Sequence, residues 1–298
     1  MSKKIILVTG ANSGIGLECC RALAKQENVH VIAAGRNKQR INAAVEVIKA
    51  SAALTSVVEG AIVDLSSLKS VREFAESIQK RGLEIFSLVC NAGVQVKTKT
   101  FTVDGFEATA GTNHISHFLL IKLLIGRTKR VITLGSETHD PAEKTKLPTP
   151  NVSDLDQMAK GYEPFSGQEA YATSKLCNMI LAKEIPRQYP GKEAITYSPG
   201  LTPDTGLFRE QPRLVFNLII FMMRVFNWFR GVRMSTSEYS GEYLARVAST
   251  DSLEKNGWRN GDYIRIDEVW QPSEQVRDPV LAKDLWDKSE EWVRPFLA

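Results

Sequence analysis

Five short apolar runs, at residues 5–8, 29–34, 57–63, 85–89 and 131–134, recur along the first half of the chain at spacings wide enough for a helix between each pair. The gaps carry helical periodicity over 15–26, 39–50, 67–80 and roughly 106–125. Near-continuous apolar runs are what strands buried on both faces require, and parallel strands need crossover helices. The expected fold class is therefore α/β: one doubly wound, Rossmann-type parallel sheet with helices on both faces. About 43% hydrophobic and 24% charged residues supply a core for it and exclude a disordered or collagen-like chain.

Beyond residue 134 the pattern loosens. Residues 135–162 are rich in Pro, Thr, Lys and Asp without periodicity and read as a long surface excursion. Helical periodicity resumes at 170–187, a β run follows at 194–197, and 262–266 supplies a last strand. With no internal repeat and no second core, residues 1–298 read as a single domain.

Lys and Arg number 38 against 34 Asp and Glu, a formal net charge of +4. The basic residues are scattered, so nucleic acid is not an expected partner. Cys19, Cys20, Cys90 and Cys177 show neither disulfide nor zinc spacing, which fits a reducing, cytoplasmic setting. Cys177 lacks a paired base and reads as packed core. The opening MSKKIILVTG is too short and too abrupt for a secretory signal, so the mature protein is expected to begin there.

The chemistry sits at the ends of the apolar runs. After the first stands Thr9-Gly10-Ala11-Asn12-Ser13-Gly14-Ile15-Gly16. Such a turn lets backbone approach a pyrophosphate, and the helix it opens presents unpaired N–H groups and a positive dipole end. Gly10, Ser13, Gly14, Ile15 and Gly16 are the candidate cradle of a dinucleotide.

The second run ends in Gly35-Arg36, where an NAD site would place an acid on the ribose hydroxyl. Arg36, with Lys38 and Arg40 near it, suits a 2′-phosphate and points to NADP(H). Asp64-Leu65 and Asn91-Ala92-Gly93 close the third and fourth runs. The Asp64 carboxylate can bond an adenine amino group, and the small residues let backbone lie against the cofactor.

Tyr171 and Lys175 lie four residues apart, on one face of a helix. A nearby ammonium favours phenolate, so the tyrosine pKa is expected to fall toward working pH. His114 and His117 are three apart but have no third ligand at sensible spacing, and no metal is expected.

The ordered set of TGxxxGxG, Asp64-Leu65, Asn91-Ala92-Gly93, Asn113, Ser136, YxxxK and Pro199-Gly200 resembles the short-chain dehydrogenase/reductase family over essentially the whole chain. The resemblance implies a sheet of about seven parallel strands and NAD(P)-dependent hydride transfer. It implies Tyr171 as proton donor, Lys175 on the nicotinamide ribose, Ser136 on the substrate oxygen and Asn113 completing a catalytic tetrad. Pro199, Gly200 and Thr205 would line the cofactor.

Within that family the chain is most similar to light-dependent protochlorophyllide oxidoreductases, with retinol-dehydrogenase-like enzymes behind. Thr112-Asn113-His114-Ile115-Ser116-His117-Phe118-Leu119-Leu120 and Ser174-Lys175-Leu176-Cys177-Asn178 resemble both groups. Thr138-His139-Asp140-Pro141-Ala142-Glu143 and Thr205-Gly206-Leu207-Phe208-Arg209 are similar to the protochlorophyllide group. The chain departs from that group in YATSK, in a shorter loop before Tyr171 and in Leu201, which replaces a cysteine on the substrate side.

The expected function is reduction of a hydrophobic substrate by NADPH, at a C=C bond of a porphyrin-like ring. The alternatives are a retinol-dehydrogenase-like carbonyl reductase or alcohol dehydrogenase, and a non-catalytic NADP(H)-binding scaffold or sensor. Substrate specificity is placed near 137–165 and 201–233. Residues 214–229 (LVFNLIIFMMRVFNWF) are the most apolar stretch, interrupted by Asn217, Arg224 and Asn227 and too short to span a bilayer. They are expected to form a buried helix or the wall and lid of an apolar substrate pocket, with a peripheral membrane contact as the alternative.

Overall fold

A computed structural model describes residues 3–143, 148–202 and 234–297. Its centre is one sheet of eight strands in the order β3-β2-β1-β4-β5-β6-β7-β8. The strands are β1 (Lys4–Thr9), β2 (Val29–Gly35), β3 (Val57–Ile62), β4 (Ile85–Cys90), β5 (Thr128–Leu134), β6 (Glu193–Ser198), β7 (Tyr263–Arg265) and β8 (Glu268–Trp270). β1 to β7 pair in parallel, as the apolar runs predict. The short β8 returns antiparallel onto β7 with all three residues exposed. Three exposed residues leave no periodicity to read, which is why the sequence shows about seven strands and the structure eight.

Alternate residues of each strand face opposite layers. Leu7 joins Leu88, Phe118 and Leu119 on one face, while Ile6 and Val8 join Val31, Val89 and Ile132 on the other. The first face is covered by α3 (Leu68–Lys80), α5 (Ser116–Leu124) and α7 (Gly167–Gln188); the second by α1 (Gly14–Ala24), α2 (Lys38–Lys49) and α8 (Ser237–Ser249). α1 and α8 cross closely: a Cβ on Gly241 would stand 2.7 Å from the Cys19 backbone N. The sequence reading missed α8, as it did α10 (Pro279–Val293), which follows the single turn α9 (Glu274–Arg277).

Helix starts follow their caps. Asn37 accepts from Arg40 N at 3.0 Å, Ser67 from Ser70 N at 3.3 Å and Ser166 from Glu169 N at 3.3 Å. The Ser166 cap begins α7 three residues before the apolar periodicity does. Two other expectations change. The helix expected over 106–125 is divided: α4 (Ala108–Ala110) passes through a π-helical turn at Gly111–Ile115 before α5 begins. The excursion at 135–162 holds a 3-10 turn at Glu137–His139 and the short helix α6 (Leu155–Lys160), capped by Asp154.

Strand order reverses between β1 and β4, and ligands of doubly wound sheets bind in the crevice beyond the carboxyl ends of strands at such a point. The segment 214–229, with its expected lid and membrane roles, and Thr205 lie outside the described residues. Among the described residues no helix is long and apolar enough to cross a membrane.

Candidate active site

The Gly-rich turn joins the end of β1 to α1, and its backbone shape is set by two glycines in the left-handed region, Gly10 at φ +68° and Gly14 at φ +56°. Ser13, extended, is the N-cap of α1. Gly16 allows the helix to sit on the turn: a Cβ there would stand 2.5 Å from Gly10 O and 2.4 Å from Asn91 Nδ2. The Asn91 side chain donates to Thr9 O at 2.8 Å. Ala92 N donates to Thr9 Oγ1 at 3.0 Å, so the Asn91-Ala92-Gly93 stretch is locked against the first strand. Ala11 N reaches Ala34 O on β2 at 3.1 Å.

Around this turn stand the other expected cofactor residues. Arg36 is exposed just past β2 and has no ion-pair partner among the described residues. Asp64 lies past β3, where Oδ1 accepts from Ser66 N at 2.9 Å and Ser66 Oγ at 2.7 Å. One carboxylate oxygen thus holds a turn. The Leu65 side chain enters the core, and its carbonyl accepts from Ser116 Oγ at the start of α5. Pro199 and Gly200 follow β6; Gly200 has φ +71°, and Pro199 O accepts from Ser240 Oγ at 3.2 Å.

The four expected catalytic residues converge beyond β4, β5 and β6. Asn113 is wholly buried on the π-helical turn. Its amide bonds both sides of Val94, accepting from N at 2.8 Å and donating to O at 2.9 Å, and also donates to Ser174 Oγ at 3.0 Å. Ser136 caps the 3-10 turn after β5, and its hydroxyl is within hydrogen-bonding reach of the Tyr171 phenol. Lys175 is buried one turn along α7 from Tyr171, with Nζ 5.4 Å from the ring centroid and donating to Leu134 O at 3.1 Å.

Electrostatics at this pair differ from the sequence expectation. Burial pushes the Tyr171 phenol up to about 12, against a smaller opposite pull from Ser136. Burial also draws Lys175 down to about 8. The ammonium does not lower the phenol because removing the oxygen from water costs the phenolate more than a cation returns when that cation is itself desolvated and turned to a carbonyl. The phenol is held protonated, the form a proton donor needs.

Gly93 faces both Asn113 and Lys175: a Cβ there would lie 3.4 Å from Asn113 Oδ1 and 3.7 Å from Lys175 Nζ. The backbone is thereby cleared beside the Lys175 ammonium. Together with the twin left-handed glycines and the exposed Arg36, this fits an extended dinucleotide lying from β2 to α7.

Sequence reasoning missed a second layer behind Ser136. Arg265, on β7, donates to Glu137 Oε1 at 2.8 Å and to Glu143 Oε1 at 2.6 Å, with its guanidinium 4.4 Å from the Trp270 ring centroid. His139 Nδ1 bonds Ser136 O at 2.6 Å, and His139 Nε2 accepts from Ser273 N at 3.3 Å. The Thr138 to Glu143 motif was visible, but its arginine lies 122 residues beyond Glu143. His114 turns away from this centre to Ser289 Oγ at 2.9 Å, on α10. Cys177 is packed among Leu176, Met179 and Ile180, as expected.

Comparison with known proteins follows the same outline. The family model for short chain dehydrogenase matches residues 4–137. Protochlorophyllide reductase A of Oryza sativa subsp. japonica is 33% identical over 97% of this chain and 80% of its own length. Protochlorophyllide reductase of Avena sativa is 32% identical over 97% of this chain and 99% of its own. Among solved structures, an uncharacterized protein from Mycobacterium Paratuberculosis superposes with TM-score 0.72 at 25% identity, covering 98% of this chain and 94% of that one. A 3-oxoacyl (acyl-carrier-protein) reductase from agrobacterium tumefaciens C58, solved with NADP bound, superposes with TM-score 0.66 at 20% identity over 89% of this chain and 93% of that one. Fold, motif order and relatives aligned over nearly the whole chain agree that this chain belongs to the short-chain dehydrogenase family and is an oxidoreductase.

Proposed function

We propose that the chain is an NADPH-dependent reductase of a hydrophobic substrate, of the protochlorophyllide-reductase kind, acting on a C=C bond of a porphyrin-like ring. The observation that carries this reading is the half-buried Tyr171, its phenol held protonated, flanked by Lys175 and Ser136 at the strand ends, beside a glycine-lined path to Arg36. The relatives named protochlorophyllide reductase supply the substrate class.

NADPH supplies the hydride when bound. The turn over Gly10, Ser13, Gly14, Ile15 and Gly16 would hold its pyrophosphate at the start of α1. Arg36 would take the 2′-phosphate, Asp64 the adenine and Lys175 the nicotinamide ribose. Asn91, Ala92, Gly93, Pro199 and Gly200 would form the walls, with Thr205 continuing the last of them. Tyr171 keeps a proton at its phenol oxygen and delivers it to the atom next to the one reduced, while Ser136 orients the substrate. Asn113 fixes the Val94 backbone and Ser174, so the two halves of the site keep their spacing. One folding unit, residues 1–298, carries both cofactor and substrate sites in this reading, with the substrate loop and lid near 137–165 and 201–233 and any membrane contact through 214–229.

A carbonyl substrate, as in the retinol-dehydrogenase-like group, is the second reading. It is favoured by Leu201, a half-buried apolar residue bridged to Met234 where the protochlorophyllide group carries cysteine. The deciding experiment incubates the purified chain and NADPH with protochlorophyllide, in darkness and under illumination, beside retinal and aliphatic aldehydes. Illuminated loss of protochlorophyllide supports the first reading, and oxidation of NADPH by the carbonyls alone supports the second. NADPH binding without turnover of any of them would favour a scaffold or sensor.

A further inference from the structure

Between the Gly-rich turn and the catalytic helix lies an imidazole that none of these roles uses. His117, 1% exposed on the first turn of α5, has Nδ1 3.0 Å from Asn113 O and Nε2 3.0 Å from Thr9 Oγ1. Its neighbours fix the tautomer. A carbonyl oxygen only accepts, so Nδ1 carries the proton and donates to Asn113 O. Ala92 N already donates to Thr9 Oγ1, and of the two acceptors within reach of the Thr9 hydroxyl proton, Nε2 at 3.0 Å is nearer than Val89 O at 3.3 Å. The series Ala92 N–H, Thr9 O–H and His117 N–H ends on the Asn113 carbonyl with every proton used once.

The ring is neutral: burial draws it to about 4, the Asn113 carbonyl opposes this, and the charge on Lys175 adds to the fall. A charged ring would carry a proton on Nε2 and lose the bond from Thr9. The π-helical turn makes room for the arrangement. Ser116 N reaches back five residues to Gly111 O, and the widened turn brings the Asn113 carbonyl under the imidazole.

We propose that His117 is a positioning residue that couples the cofactor turn at Thr9 to the catalytic helix through the Asn113 carbonyl. The proposal rests on the NADPH reading above and adds to it a residue that touches neither cofactor nor substrate. Thr9 stands at the end of the first strand, and Asn113 reaches the catalytic helix at Ser174. The Asn113 side chain meets Val94, two residues past Ala92, at the front, and His117 adds a second polar link to Thr9 across the back. Groups in a dry, fully satisfied network keep their spacing, and a misplacement of about 1 Å at a reacting centre can cost on the order of 100-fold in rate.

The test is a double-mutant cycle read by NADPH binding without substrate, followed through nicotinamide fluorescence. His117→Asn places its amide near the former Nδ1, so it retains donation to Asn113 O and loses the reach to Thr9. Thr9→Val removes the hydroxyl from the other end, and Thr9→Ser restores it. Each of the first two is expected to weaken NADPH about tenfold, the double variant by no more than the worse single one, and Thr9→Ser to stay near wild type. A merely structural histidine would lower the melting temperature of the variants and leave the affinity of the folded protein unchanged, and that result overturns the proposal. So would losses that multiply in the double variant. If His117→Asn does not fold, equal NADPH affinity in Thr9→Val and Thr9→Ser overturns it too. A wild-type chain that binds no NADPH removes the NADPH reading and this coupling together, whereas binding that is indifferent to all the variants removes the coupling alone.

Discussion

Arg265 and Glu137 are joined at 2.8 Å across 128 residues of chain, and the carboxylate they fix is the neighbour of Ser136. The same guanidinium holds Glu143 at 2.6 Å, so both ends of the 137–143 turn hang from one arginine on β7. Burial raises the Glu137 pKa, and the arginine opposes that shift. Removing the cation would leave a largely buried carboxylate unpaired, which is costlier than losing an exposed ion pair.

Arg265→Met is therefore expected to destabilise the chain by about 2–4 kcal/mol and to loosen Ser136. Urea unfolding measures the first effect. The second appears as a fall in kcat at unchanged NADPH affinity, since Arg265 fixes the turn that follows Ser136, the expected substrate-orienting residue.

Tyr171→Phe keeps the ring and deletes the transferable proton. Turnover should fall by about 100-fold or more while NADPH still binds. Steady-state kinetics beside a binding titration check this, and near-wild-type turnover would assign proton donation elsewhere.

Arg36 is exposed at the end of β2, and NADPH is expected to bind at least about tenfold more tightly than NADH, roughly 1.4 kcal/mol. Arg36→Asp should invert the order, because the new carboxylate repels a 2′-phosphate and accepts from a 2′-hydroxyl. Parallel titrations with both nucleotides read the ratio directly.

Gly16→Ala tests the seating of α1. Its Cβ would come to 2.5 Å from a backbone carbonyl that cannot swing away, so the helix must move off the turn. NADPH affinity should drop by about tenfold or more, with a melting temperature several degrees lower. Native affinity in this variant would show that the helix start does not hold the nucleotide.

Lys175 gives stability a pH dependence of defined sign. Its pKa falls from 10.5 to about 8 on folding, so the unfolded chain binds more protons between those values and stability contributed here rises with pH across that window. Below pH 8 the full penalty of a buried charge applies. Lys175→Met should be the more stable protein near pH 7, with its advantage over wild type closing as pH rises from 8 to 10.5, while the buried Cys19, Cys20, Cys90 and Cys177, raised by burial from 9.0, lower the stability of both proteins alike above pH 9. Thermal melts of the two proteins across this range compare the slopes.

The sequence alone determined whatever is local or periodic. Runs of two-sided apolar residues separated by helical stretches force a parallel sheet, because only crossover helices can bury such strands on both faces. A Gly-rich turn at the end of the first run must open the next helix, and YxxxK must place Tyr171 and Lys175 on one helical face. Tertiary structure decided what depends on partners distant in sequence. The phenol of Tyr171 is held protonated because burial outweighs a cation that is itself desolvated, a balance that spacing does not encode. Glu137 and Glu143 are anchor points because Arg265 arrives from β7, and His117 meets Thr9 from 108 residues away. β8 exists only as a partner of β7, since three exposed residues carry no strand signal of their own. Hydrophobic periodicity is written along the chain, whereas desolvation and hydrogen-bond pairing are set by which segments the folded sheet brings together.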